Sequence, residues 1–315
     1  MKTIEWGFLI VNYLFLGGLS AGLFFISALA VYLGGRDDAV YTRIARWGAL
    51  LAPWPVAVGS ALLIFDLGNW NRFYLLFLHF KWHSPMSIGS WLLLVFNGLA
   101  FAYLWSWLPA AGRARILAKL RLSESLDRDL SGSRRLIAAA GFPLSVAVAI
   151  YTGVLLGAVQ ARPFWNTNLV AQMFLFSAIS TACALLIVVL SLAEKRPNPA
   201  ELRVLYTLDI CLITLEFFVV LPYVIHGELS VQAVRDSLGL ILGGPYTLAF
   251  WLLFVGAGLL LPLALEVWEI APALLHSAPM HFNRRTTVLA GAMVIAGGYL
   301  LRYIFVYAGQ VSAFR

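Results

Sequence analysis

Charge is scarce in this chain: Asp, Glu, Lys and Arg together make up 12% of its residues, about half the share usual in a soluble domain. That excludes an ordinary water-soluble fold. Cysteine is scarcer still, with only Cys183 and Cys211. Neither a disulfide framework nor a thiolate cluster for iron–sulfur or zinc can be built from two residues. Both fall inside apolar segments, as small packed side chains do. Glycine-rich phosphate loops are missing. The five histidines are nowhere central in an apolar run: His79 and His83 precede the third run, His226 ends the sixth, and His276 and His281 lie in a connection. A membrane haem needs axial histidines projecting inward from its spans, so no haem is expected. No metal is expected either, although His79 and His83 share the i, i+4 spacing of a helical pair.

What the chain has in abundance is apolar length. Hydrophobic residues make up 61% of it, and its mean hydropathy is +0.86. Apolar runs lie at Trp6–Leu33, Trp47–Leu67, Ser87–Leu108, Leu136–Gln160, Leu169–Ala193, Val204–Ile225, Tyr246–Ile270 and Thr287–Ala308. Each is close to or beyond the ~20 residues that cross a hydrocarbon core of ~30 Å as a helix. The fold class expected is all-α: a polytopic membrane protein of eight transmembrane helices. With no long connection and no internal duplication, residues 1–315 read as a single integral membrane domain. The first run is expected to be a retained span. Ala28-Leu29-Ala30 mimics a cleavage site, but the run is too long for a signal peptide and Glu5 spoils its charged start.

The net charge of +7 does not indicate nucleic-acid binding, because the basic residues follow topology. Fifteen of the 22 Lys and Arg residues fall in the first, third, fifth and seventh connections. The positive-inside bias then puts those connections in the cytoplasm and both termini on the periplasmic side of a bacterial inner membrane. The longest basic connection, Pro109–Arg135, contains RARILAKLRL, which reads as an amphipathic helix lying on anionic lipid.

Polar residues gather at the outward depth. Asn12 and Tyr13 are on the first run, with Gly18 and Gly22 forming a close-packing pair just beyond. Asp66, Asn69 and Arg72 end the second run. Tyr151 is on the fourth, Glu216 and Tyr223 on the sixth, and Arg302, Tyr303, Tyr307 and Gln310 on or beside the eighth. Charges at such depth must face protein or a cavity, and usually pair. Taken singly, each is equally well a structural ion pair or a satisfied polar group. Convergence of five helices points to a binding site. Phenols, an amide and a carboxylate among Phe and Trp suit a flat apolar head with exchangeable protons, as a quinone has. Asp209 and Glu216 share a helical face about 10.5 Å apart, and Glu266 and Glu269 follow on the next run. This ladder either carries protons or pairs with arginines near the interface.

Several short stretches, in order and over essentially the whole chain, resemble the NrfD-like family of membrane subunits typified by polysulfide reductase. They are YLFLGGLSAG (Tyr13–Gly22), FDLGNWNRF (Phe65–Phe73), SPMSIGSW (Ser84–Trp91), AIYTGVLLGA (Ala149–Ala158), PFWN (Pro163–Asn166), FLFSAISTA (Phe174–Ala182) and LRYIFVYAGQ (Leu301–Gln310). The resemblance implies eight helices, periplasmic termini, and a quinone site (menaquinone or ubiquinone) near that face. It implies no haem, metal or iron–sulfur cluster in the chain itself. Electrons would pass to or from a periplasmic ferredoxin-like subunit holding four iron–sulfur clusters, and in polysulfide-reductase-type members onward to a molybdopterin catalytic subunit. The tyrosine of the family's YTG motif, a quinone ligand, maps onto Tyr151. The family also uses an asparagine and a histidine on the first helix, where this chain has Asn12 and Tyr13 and no histidine.

The expected function is therefore a quinone-reactive subunit of a respiratory oxidoreductase, inactive alone, with Tyr151, Asn12 and Tyr13 holding the quinone. Asp66 is the expected proton acceptor, poised by Arg302, with Glu216 and Asp209 in proton transfer. The rival readings are an ion- or proton-coupled transporter, which usually shows inverted repeats, and a purely structural anchor.

Overall fold

The computed structural model describes residues 6–34, 38–67, 70–78, 80–121, 129–193, 197–275 and 280–312. Asn69, His79 and His276 lie outside them. The elements in order are α1 (Phe8–Leu33), α2 (Ala39–Leu51), α3 (Pro53–Asp66), α4 (Leu75–Leu78), α5 (Pro85–Trp107), α6 (Ala110–Leu120), α7 (Arg134–Gly157), α8 (Leu169–Ala193), α9 (Pro199–Glu228), α10 (Gln232–Leu238), a π-helical stretch (Ala249–Leu260) running into α11 (Leu261–Leu275), and α12 (Arg284–Val311). Among the described residues eight helical segments are long and apolar enough to cross a membrane, with α2–α3 and the π stretch with α11 each counting as one.

The helices extend beyond several of the apolar runs because polar residues cap them. Asn198 accepts from the Ala200 N–H at 3.0 Å with Pro199 at the first helical position, so α9 starts before the run at Val204. Asp38, Ser84 and Asn283 cap α2, α5 and α12 in the same way. Ahead of Pro262 the chain takes wider π turns, since that proline has no N–H to close an α turn. The stretch crosses α12 where Gly258 meets Gly297: a Cβ on either would fall 2.7 Å from the other's Cα.

Helices α1 and α8 form the centre. In each, 72% of the most apolar window is buried, against 50% or less in the other six. Gly18 and Gly22 set their approach. A Cβ on Gly18 would sit 3.3 Å from the Ala178 Cβ, and one on Gly22 would run into the Ala178 carbonyl.

Both chain ends meet on one face of the bundle, here the terminal face. Gln310 accepts from the Trp6 N–H and donates to the Trp6 carbonyl, each at 2.7 Å. The α7–α8 connection closes over them: the Trp165 indole donates to the Phe305 carbonyl at 2.6 Å and stacks on Trp6 at 5.2 Å. Arg162 donates to Ser312 O at 2.6 Å, and the Tyr223 hydroxyl donates to Phe164 O at 2.9 Å. The opposite, basic face holds α6, the expected helix of the long basic connection, and the ends of α2, α7, α9 and α12 that carry Arg43, Arg46, Arg134, Arg135, Arg203 and Arg284.

Candidate functional site

The polar residues divide into two groups on opposite sides of α1. The first is a pair of phenols. Tyr13 is 1% exposed, and its hydroxyl has no hydrogen-bond partner. Leaving such a group unpaired costs on the order of 1–3 kcal/mol, which makes it a marker of something not yet accounted for. Tyr151 of α7 lies close enough to interact with it electrostatically. The Tyr151 hydroxyl donates to the Pro85 carbonyl at 3.1 Å. Its ring occupies the space that a Cβ on Gly89 would need, which explains a glycine inside SPMSIGSW. An orphaned donor beside a second phenol is what a carbonyl oxygen of a flat apolar ligand requires, so the residues present fit a quinone head.

The second group is a row of buried carboxyls reached from α8, α9, α11 and α12. Arg302 is fully buried. It donates to Ser177 Oγ at 2.5 Å, Gly298 O at 2.8 Å and Phe174 O at 3.1 Å, beneath the Phe174 ring. Glu216 shares Ser177 with it and feels its charge, while Oε1 of Glu216 stays unpaired. A Cβ on Gly18 would sit 3.4 Å from Arg302 Nη2, so that glycine makes room for the guanidinium. Two turns further along α9, Asp209 accepts from Ser180 Oγ at 2.6 Å and meets Glu266 of α11, an acid–acid contact that needs a proton between its oxygens. Glu269 then accepts from the Tyr206 hydroxyl and from Thr287 Oγ1. At the basic face Glu201, 1% exposed, pairs with Arg43 at 3.3 Å. From Glu201 to Glu216 the row covers about 22 Å along α9.

Several expected positions fall elsewhere. Asp66 is exposed at the last turn of α3, while Arg302 is occupied by α8 and Glu216. The expected pairing of these two residues is therefore not formed: α12 turns residue 302 inward to α8, where the guanidinium bonds Ser177, Gly298 and Phe174 and acts on Glu216 through its charge alone. Asn12 is one step round α1 from Tyr13. It donates to Phe8 O at 2.7 Å and stands beside Tyr299 of α12, away from Tyr151. Tyr303 and Tyr307 meet at 4.6 Å with their rings tilted by 43° on the outer side of α12, and Arg72 and His83 are exposed. Of the ladder acids expected near interfacial arginines, Asp209 and Glu269 bond to hydroxyls instead. Sequence reasoning passed over Ser177, Ser180, Tyr206 and Thr287. The only signal for them was hydroxyls at helical spacing inside apolar runs. A cavity of about 610 Å³ lies on the other side of α7 from Tyr151, between Gly153, Asn166, Asn168 and His226.

The sequence model of the family described as polysulphide reductase, NrfD, matches residues 1–313. The chain belongs to that family. This NrfD-family chain is similar to a polysulfide reductase chain of Wolinella succinogenes, with 30% identity covering 98% of this chain and 95% of the relative. It is similar to Protein NrfD of Escherichia coli, at 27% identity over 99% of this chain and 96% of the relative. It is also similar to a selenate reductase subunit of Mesobacillus selenatarsenatis, at 28% identity over 98% of this chain and 74% of the relative. The matches run from end to end, so they cover the phenol pair and the carboxyl row alike.

Proposed function

We propose that this chain is the quinone-reactive membrane subunit of a respiratory oxidoreductase in a bacterial inner membrane. It exchanges electrons between a membrane quinol, menaquinone or ubiquinone, and an iron–sulfur subunit carrying four clusters on its terminal face, taken to be periplasmic from the distribution of Lys and Arg. A molybdopterin subunit would complete the complex, as the reductase names of the relatives suggest. The observation that carries this reading is the buried, unpartnered Tyr13 hydroxyl beside Tyr151.

A bound quinol would supply two electrons and two protons, and a bound quinone would take them up. Tyr13 donates a hydrogen bond to a carbonyl oxygen of the head group. Tyr151, held by Pro85 and Gly89, fixes the other wall and can redirect its hydroxyl from the Pro85 carbonyl. Asp66 lies about 10.5 Å along α3 from Gly59, where a Cβ would sit 3.5 Å from the Tyr13 carbonyl, and passes protons to water at the terminal face. On the far side of α1, the Arg302–Glu216 end of the carboxyl row comes within about 7.5 Å of the depth of Tyr13, five residues from Gly18. The row from there toward Glu201 is suited to carry protons to or from the basic face, since Glu216, Asp209, Glu266 and Glu269 each touch a hydroxyl or another carboxyl.

The test uses the assembled complex. Tyr13→Phe and Tyr151→Phe are expected to lower kcat/KM for quinol by at least ~10-fold, a loss of order one hydrogen bond. Electron transfer from a soluble dye to the partner subunits should stay intact. Wild-type quinol kinetics in both variants would remove the phenol pair from the reaction.

A further inference from the structure

On the basic face, remote from the phenol pair, a recess of about 340 Å³ is lined by Tyr41, Thr42, Ser131, Gly132, Arg134 and Arg135 over an apolar floor that includes Ala30 and Trp107. Arg134 is held in place: its guanidinium lies 3.9 Å over the Trp107 ring and donates to Ser106 O at 2.7 Å. Its Nε is shut off from solvent and has no hydrogen-bond partner. Arg135 beside it is exposed, and Arg46 is near enough to repel Arg134. The nearby acids are engaged. Asp129 accepts from the Ser131 N–H and hydroxyl, each at 3.0 Å, and pairs with Arg113 at 3.6 Å. Asp38 caps α2. Among the described residues, Arg134 and Arg135 line the recess and Arg46 adds its charge nearby, so positive charge is in excess there.

A second recess adjoins the first. It is an apolar groove of about 250 Å³ between α1, α2 and α9 that shares Ala30 and Tyr41 with it and continues past Leu29, Ile44, Val204 and Cys211. A basic pocket that shares a wall with an apolar groove matches a phosphate head joined to a hydrocarbon chain. We propose that the two recesses together bind one anionic glycerophospholipid, its phosphate held by Arg134 and Arg135, and one acyl chain along the α1–α9 groove. A free phosphate ion would use the first recess only. The proposal does not depend on the quinone reading.

The full-length chain, purified in mild detergent, is mixed with dioleoylphosphatidylglycerol or dioleoylphosphatidylcholine, and retained lipid is counted by native mass spectrometry. Phosphatidylglycerol should be retained over phosphatidylcholine. Arg135→Gln, an exposed position that leaves folding intact, should weaken that retention roughly fivefold. Val204→Trp fills the groove without touching an arginine and should also lower it. Equal retention of the two lipids, or an unchanged Arg135→Gln, overturns the site. If inorganic phosphate displaces the lipid and Val204→Trp has no effect, the recess belongs to free phosphate and the lipid proposal fails.

Discussion

Replacing Arg302 by Met leaves the shape of the core nearly unchanged and removes one positive charge. In the wild type the guanidinium serves Ser177 Oγ, Gly298 O and Phe174 O at 2.5, 2.8 and 3.1 Å, and it is the cation nearest Glu216. Both side chains are essentially inaccessible. Removing the guanidinium leaves buried acceptors unsatisfied, at about 1–3 kcal/mol each, and leaves any charge on the Glu216 carboxyl without its nearest cation. The second replacement, Glu216→Gln, takes that charge away. The double variant should therefore be more stable than the sum of the single effects, by about 1–3 kcal/mol of coupling. Arg302→Lys keeps the charge but loses the planar fork and should fall between wild type and Arg302→Met. The assay is SDS-titrated unfolding in mild detergent, followed by far-ultraviolet circular dichroism. Arg302→Met within about 0.5 kcal/mol of wild type, or strict additivity in the double variant, would refute the coupling of Arg302 to Glu216.

Three further outcomes are expected. Gly22→Val should force α1 off α8, because the added Cβ meets the Ala178 carbonyl and the Ala182 side chain. It should cost about 1–3 kcal/mol or more and lower the thermal midpoint, whereas Gly98→Ala, with nothing within 4 Å of the new Cβ, should leave it unchanged. Asp209→Asn and Glu266→Gln should lower the protons moved per electron pair in complex-bearing liposomes while dye-linked electron transfer persists; an unchanged ratio would remove the row from proton traffic. At Asp129, the hydrogen bonds from Ser131 hold the carboxyl below its ordinary value of 3.8. A depressed pKa contributes fully above that value and is lost as pH falls through the folded one. Protection of the Ser131 amide relative to its intrinsic exchange rate should accordingly be full at neutral pH and fall only below 3.8, and Asp129→Asn should abolish that dependence.

The sequence by itself determined the number of spans, their order and the crowding of polar residues toward the chain ends. Run length and capping are local properties: Leu169–Ala193 could be read to the residue because both of its ends are marked by neighbours in the chain. The close approach of α1 was legible for the same reason, since Gly18 and Gly22 need no partner to be recognised. Only the tertiary structure decided which polar groups meet. In a span that is apolar nearly all round, nothing in the sequence states its rotation about its own axis. About a hundred degrees separates Tyr13, facing Tyr151, from Asn12, facing Tyr299. The same rotation turned Arg302 to Ser177 and Glu216, and left Asp66 exposed at the end of α3. Ser180, Tyr206 and Thr287 became part of the carboxyl row only when four helices brought them beside acids that are distant in the chain.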